Sequence, residues 1–340
     1  MKHLLFALVV VTSSAFAVDH AGCRPQLESS LCYTPDVDHW ADSASITVRG
    51  IRRYQERTCQ PMPLHIKTTL IDLYEKYPRE IQQAFCEIKH VFVVNDDVTY
   101  GARAEYYFDL STVKLGRGNL GTSFAGKPIG YILEISEKAR FKGETNSAYL
   151  TRVLQARFGN ANPTLTPLPV AQANNSSGPH GALDKTIVHE LGHLIGRAQK
   201  VTPTYFLPYS EGAWSKLSFK LENGNFTLRH APPGYDEMMS YKLLSAEDIR
   251  PTFDLFRRSG LATLYGGTSP QEDFAEFFML HFYPELVWKL GNTVAFDLTL
   301  EMATNPVFRA KREIIINLLK MPQPFSLKNR GIVRGQIGSM

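Results

Sequence analysis

"DKTIVHELGHLIGRAQ", residues 184–199, carries the pattern His-Glu-x-x-His. His189 and His193 are four residues apart, so on a helix they lie on one face about a turn apart, and both imidazoles can reach one ion. Glu190 lies about a third of a turn round, poorly placed to ligate but well placed beside a water held by that ion. Ile187, Val188, Leu191, Leu194 and Ile195 leave this helix almost no polar face, so it is expected to be buried. Two histidines and a glutamate in such a setting are unfavourable unless something pairs them. A metal ion removes that penalty.

Two histidines do not complete a site, and two sources for a third ligand stand open. The stretch extends as His-Glu-x-x-His-x-x-Gly-x-x-X with Gly196 at the glycine position, and "EMMSY" (237–241) resembles the methionine turn that floors some zinc peptidase sites. X is then Gln199, whose neutral amide is a poor zinc ligand, and Gly196 has a plainer use as a point of close backbone approach. The other source is "SPQEDFAEFFML" (269–280). Ser269 and Pro270 open a helix on which Glu272 and Glu276 share one face among Phe274, Ala275, Phe277, Phe278, Met279 and Leu280. A zinc ion satisfies Glu272. The far N–H of a ligating histidine satisfies Glu276, which orients that imidazole. Ser269 to Glu272 also reads as a capping box, which accounts for Glu272 but not for a second acid one turn deeper.

Outward from these helices the chain reads as α+β. Ile66, Leu70, Leu73, Tyr74 and Tyr77 give an amphipathic helix that Pro78 interrupts, and a second helix is expected over Arg79 to Ile88. "HVFVV" (90–94), "ARAEYYFD" (102–109) and "PIGYILEIS" (128–136) read as strands, with turns at Asn95–Asp97 and Gly116–Gly121. "SAYLTRVLQARF" (147–158) reads as a short helix. Residues 159–182 are rich in Pro, Asn, Ser and Gly and read as a long loop. The C-terminal half is expected to be mostly helical, over 245–259, 270–283 and 305–320. The organisation expected is a leader at 1–17, a cysteine-bearing irregular segment at 18–60, one catalytic-type domain at 61–321 and a tail at 322–340.

Lys2 and His3 before an apolar run from Leu4 to Val11, then Ala15-Phe16-Ala17, form a secretory leader pattern with a small-x-small cleavage site. No later stretch is apolar enough to span a bilayer. Cys23, Cys32, Cys59 and Cys86 all lie in the first quarter of the chain, and in an oxidising compartment they suggest two disulfides. Three pairings are possible, and proximity in sequence favours Cys23–Cys32 with Cys59–Cys86. None of the spacings is Cys-x-x-Cys, which disfavours a thiolate zinc site. Asn174, Asn175 and Asn225 head Asn-x-Ser/Thr sequons. The formal net charge of +4 falls to +3 without Lys2, too mild for a nucleic-acid partner. The location expected is secreted or periplasmic.

"LYGGTSPQEDFAEFF" (264–278) resembles the corresponding segment of anthrax lethal-factor-like zinc metallopeptidases, in the gluzincin clan. In that family a tyrosine precedes the ligand glutamate by seven residues, and an aromatic-Ala-Glu step follows. Tyr265 with Glu272, and Phe274-Ala275-Glu276, match. The resemblance extends more weakly to 248–260, 305–319 and the helix-then-strands order of 64–158. The step of 79 positions from His193 to Glu272 exceeds what the family suggests and leaves room for an insertion around 200–245. The resemblance implies a zincin-like fold with a small sheet, an active-site helix and a helical C-terminal half. It implies Zn2+ on His189, His193 and Glu272, and Tyr265 as hydrogen-bond donor to the oxyanion. Glu190, beside the bound water, is expected to act as general base, and Glu276 to stand behind a ligating histidine. His230 is an alternative donor by residue type alone. By the same resemblance 129–136 is either an edge strand that pairs with an extended peptide or a plain core strand. The activity implied is endopeptidase hydrolysis of a peptide or protein. A zinc amidase acting on a cell-wall or other non-protein amide, and a non-catalytic binding relative, are the alternatives.

Overall fold

The computed structural model describes residues 22–35, 47–95, 101–118, 121–141, 143, 165–168, 180–199, 213–216, 226–231, 246–283, 287–290, 293–328 and 330–337. The leader, the 147–158 helix, the asparagines of the three sequons and "EMMSY" lie outside these residues. The described chain is a mixed α+β fold around a five-stranded sheet. Its strands are β1 (Leu31–Thr34), β2 (Ile88–Val94), β3 (Ala102–Gly118), β4 (Gly121–Ser136) and β10 (Val333–Ile337). β4 is the centre. It runs parallel to β2, which is parallel to β1, and antiparallel to β3 and β10.

The apolar run of β2 is continuous because both faces of the sheet are covered. Val91 and Val93 look to one side with Tyr131, Leu133 and Ile135 of β4. Phe92 and Val94 look to the other side with Ile132. The second face is closed by α2 (Val48–Gln55), through Ile51 and Tyr54. The first face carries the larger core. Against it lie α1 (Arg24–Ser30), α3 (Leu64–Lys76) and the helix α6 (Gly181–Ala198), which holds His189 and His193. Between them in sequence come the single turns α4 (Arg79–Gln82) and α5 (Glu137–Arg140). The Tyr131 hydroxyl donates to the Leu194 carbonyl at 3.4 Å, tying β4 to α6.

The helices of the C-terminal half pack beyond α6. They are α7 (Ile249–Ser259), α8 (Pro270–Phe282), α9 (Leu298–Thr304) and α10 (Pro306–Leu319). Each boundary has a local cause. Ser269, Asp297 and Asn305 accept backbone N–H groups at the starts of α8, α9 and α10. Gly260 ends α7 at φ 63°, a left-handed position glycine adopts freely. Phe253, Phe256, Phe277, Phe296 and Phe308 interlock these helices. Among the described residues no helix is long and apolar enough to cross a membrane.

Several expectations are corrected. The disulfides are Cys23–Cys86 and Cys32–Cys59, with Cα–Cα distances of 4.9 and 5.0 Å, not the sequence-local pairs. The reason is topological. β1 enters the sheet beside β2, and Tyr33 bridges Gln60, so Cys59 returns to Cys32. α1 packs on the 3₁₀ turn Gln83–Cys86, which brings Cys86 to Cys23. The 18–60 segment is thus not irregular throughout but supplies a strand and two helices. Nor is 322–340 only a tail, since β10 pairs with β4. The expected helix 79–88 shortens to α4 and that 3₁₀ turn. The loop 159–182 contains β5 (Leu165–Leu168), which pairs with β8 (Val287–Leu290), itself paired with β9 (Thr293–Asp297). In the 200–245 region, β6 (Trp214–Lys216) pairs with β7 (Phe226–Leu228).

Residues 129–136 are not an edge. β4 has β2 on one side and β3 on the other over 131–135. The strand beside α6 is β3, and side chains blunt its outer edge. The Gln55 amide donates to the Phe108 carbonyl at 3.0 Å and accepts from its N–H at 2.6 Å. Arg197, from α6, donates to the Ala104 carbonyl.

His281, at the end of α8, generates a stability prediction. Burial, helped by the charge of Arg312, pulls its pKa from the usual 6.5 down to about 4. Between those values the unfolded chain binds the extra proton, so stability falls as pH drops through this window. His281→Phe is expected to flatten that limb. Melting temperatures of the two proteins between about pH 7 and about pH 4.5 check it, and parallel curves would contradict it.

Candidate metal centre

The centre is built where α6 meets α8. The contact is close because Gly192 has no side chain. A Cβ there would stand 2.9 Å from the Ala275 Cα and 3.2 Å from its carbonyl oxygen. Both helices are apolar nearly all round, so their approach encloses whatever polar groups they carry.

His189, His193 and Glu272 come together, with ligating atoms all within 4.8 Å of one another. Glu272 Oε2 lies 3.2 Å from His189 Nε2 and 3.3 Å from His193 Nε2. That oxygen is buried and has no hydrogen-bond partner. Ligands placed about 2.0–2.1 Å from one tetrahedral ion stand about 3.3–3.4 Å apart, so the separations suit co-ligation. The two imidazole planes cross at 86°, with ring centroids 4.9 Å apart. The group can hold a metal ion.

The charges around it make the same demand. Glu190, only 6% exposed, and Glu276 add two carboxylates to that of Glu272, against two imidazoles. Burial drives His189 toward neutrality, but Glu272 and Glu276 outweigh it and push its pKa well above the usual value. Burial drives Glu272 upward, and contact with His189 and His193 outweighs it, holding the carboxyl well below the usual range. Burial raises Glu190, with the two histidines opposing. A set with this excess of enclosed carboxylate calls for positive charge at its middle. A divalent cation supplies it without protonating a ligand.

Among the described residues, those singled out in the sequence take the following places. Glu276 Oε1 stands 2.8 Å from His189 Nδ1, the nitrogen turned away from Glu272. Tyr265 sits in a 3₁₀ turn, Tyr265–Thr268, with its ring centroid 5.8 Å from that of His189 and 45% of its surface exposed. Ser269 accepts from the Glu272 N–H at 3.2 Å, so the cap is real and coexists with the carboxylate's approach to the histidines. Gln199 is not with the histidines: its amide donates to the Pro324 carbonyl at 2.7 Å. His230 is exposed in the turn after β7.

Three residues that shape the surroundings of the centre carry no motif in the sequence. Gly192 looks like an ordinary member of an apolar helix until Ala275 is placed against it. Arg197 continues the 189–193 ladder by one more turn and reaches β3, with Glu105 at 3.5 Å and the Tyr106 ring centroid at 5.6 Å. Asp273 turns away from the centre. It is fully buried and takes Lys311 Nζ at 2.7 and 2.8 Å and Trp214 Nε1 at 3.0 Å. Lys311 also donates to the Gly260 carbonyl at 3.0 Å, so this pair pins α8 to α10 and to the end of α7. Removing one partner of a buried pair of this kind costs about 3–5 kcal/mol.

No known family, curated protein or solved structure matches the chain.

Gly192→Ala is expected to force α6 and α8 apart by a few tenths of an ångström. Overpacking of this kind costs about 1–3 kcal/mol, and here it also moves Glu272 off the histidines. Thermal unfolding and metal affinity, measured together, are both expected to fall. An unchanged affinity would show that the contact at Ala275 does not set the position of Glu272.

Proposed function

We propose that the chain is a zinc-dependent endopeptidase acting outside the cytoplasm. The observation that carries this reading is the enclosure of His189, His193 and Glu272 around one point, with a further acidic group, Glu190, on the same helix as the two histidines. Two imidazoles and one carboxylate are a donor set suited to zinc with a position left for substrate or water. A zinc ion held there supplies a Lewis acid that polarises a carbonyl and makes water acidic near neutral pH. The similarity of 264–278 to lethal-factor-like peptidases supports a zincin-like fold and peptide chemistry.

The chain's own residues then have distinct tasks. Glu190 takes the proton of the attacking water and passes it to the leaving amine, as a general base and acid. The Glu276 carboxylate holds His189 in the orientation that turns Nε2 toward Glu272. Tyr265, exposed beside His189, donates a hydrogen bond to the carbonyl oxygen as it gains charge. The apolar walls of α6 and α8 keep bulk water from the carboxylates, which strengthens these interactions. Two cysteine pairs and the leader pattern at 1–17 support an oxidising, extracytoplasmic location.

Casein hydrolysis that a chelator abolishes and added zinc restores is the expected result. Glu190→Gln is expected to keep zinc and lose activity by about 10²–10⁴-fold, the usual worth of a general base. Full activity in Glu190→Gln would reject the mechanism. Zinc binding without hydrolysis of any protein substrate would reject the endopeptidase reading and favour a non-protein amide or a binding role.

A further inference from the structure

The turn that carries Tyr265 is tied to the metal centre through one hydroxyl. Thr263 Oγ1 donates to Glu276 Oε2 at 2.6 Å. The other oxygen of that carboxylate is the one 2.8 Å from His189 Nδ1. The same Thr263 oxygen accepts the Gly266 N–H at 3.0 Å. Around it the turn is further closed by Gly267 N–H to the Leu264 carbonyl at 3.1 Å and by the Thr268 hydroxyl to the Tyr265 carbonyl at 2.7 Å. The turn sits flush on α8: a Cβ at Gly266 would stand 3.4 Å from the Asp273 Cα and 3.6 Å from the Glu276 Cβ. A continuous chain therefore runs from His189 through Glu276 and Thr263 to the backbone on either side of Tyr265.

We propose that Thr263 is a positioning residue that couples the His189–Glu276 contact to the placement of Tyr265. This rests on the metal-centre reading above. The physical reason lies in what a hydroxyl does that no other small side chain does here. It donates one proton and accepts another at the same atom. Donation to Glu276 fixes which carboxylate oxygen remains for the imidazole. Acceptance from Gly266 fixes the turn. Groups that orient a ligand from behind it typically change metal affinity 10–100-fold when lost. A threonine that merely capped the 3₁₀ turn would need only to accept, and its loss would lower stability without touching the metal.

The test is zinc affinity by chelator competition on the full chain, for the parent, Thr263→Val, Thr263→Ser, Glu276→Ala and the double variant Thr263→Val/Glu276→Ala. Thr263→Val is expected to weaken zinc about tenfold, at the low end for such groups. Thr263→Ser keeps the hydroxyl and is expected to retain the parent's affinity. The double variant is expected to bind no more weakly than Glu276→Ala alone, because Thr263 acts through Glu276. A second readout does not depend on Thr263→Val folding: the Gly266 amide is expected to exchange with solvent faster in Glu276→Ala than in the parent. Unchanged affinity in Thr263→Val, losses that add in full in the double variant, or an unchanged Gly266 exchange rate would each overturn the coupling. A parent that binds no zinc would overturn the metal centre itself and this inference with it. A parent that binds zinc beside an unaffected Thr263→Val overturns Thr263 alone.

Discussion

Two apolar helices close on five ionisable side chains, and that closure is the constraint on which the centre depends. His189, Glu190 and His193 come from α6, Glu272 and Glu276 from α8. Enclosing three carboxylates with two imidazoles is unfavourable without a positive charge among them. The helices can nevertheless meet because Gly192 lets the backbone at Ala275 approach. Packing energy from Phe274, Phe277 and Phe278 on one side, and Leu191, Leu194 and Ile195 on the other, thus holds the polar groups at ligand spacing. Hydrophobic burial thus sets the positions of the candidate donors, as preorganisation of a metal centre requires.

The rest of the fold keeps the two helices in register. The sheet backs α6 through Tyr131 and the apolar residues of β2 and β4. Lys311 and Asp273 hold α8 from the opposite side, so the acid next to Glu272 in sequence anchors the helix while Glu272 faces the histidines. The N-terminal cysteines staple the far edge of the sheet, where β1 and α1 attach. Cross-links of this kind chiefly restrict the unfolded chain. They lie away from the centre and contribute to it only through the stability of the sheet.

Local pattern made the centre legible and left its surroundings obscure. The four-residue spacings of His189 with His193, and of Glu272 with Glu276, project side chains from one face of a helix whatever the rest of the chain does. The apolar neighbours implied burial, and burial implied partners. What stayed hidden was set by long-range topology. Disulfide pairing followed from β1 joining β2 and from α1 packing on residues 83–86, neither of which leaves a local trace. Residues 129–136 read the same whether central or at an edge, because alternation reports which faces are buried and says nothing of which strands lie alongside. The Val333–Ile337 strand was obscured by its short length and its polar residues Arg334 and Gln336. Thr263 carries no local signal, because the carboxylate it touches lies thirteen positions away.

The most direct test is the zinc content of the purified protein and of Glu272→Ala, measured side by side. One zinc ion per chain in the parent, with much weaker binding in the variant, is the predicted result. Equal zinc in both would reject Glu272 as a ligand. No zinc in a well-folded parent would contradict the central claim that these two helices close around a metal.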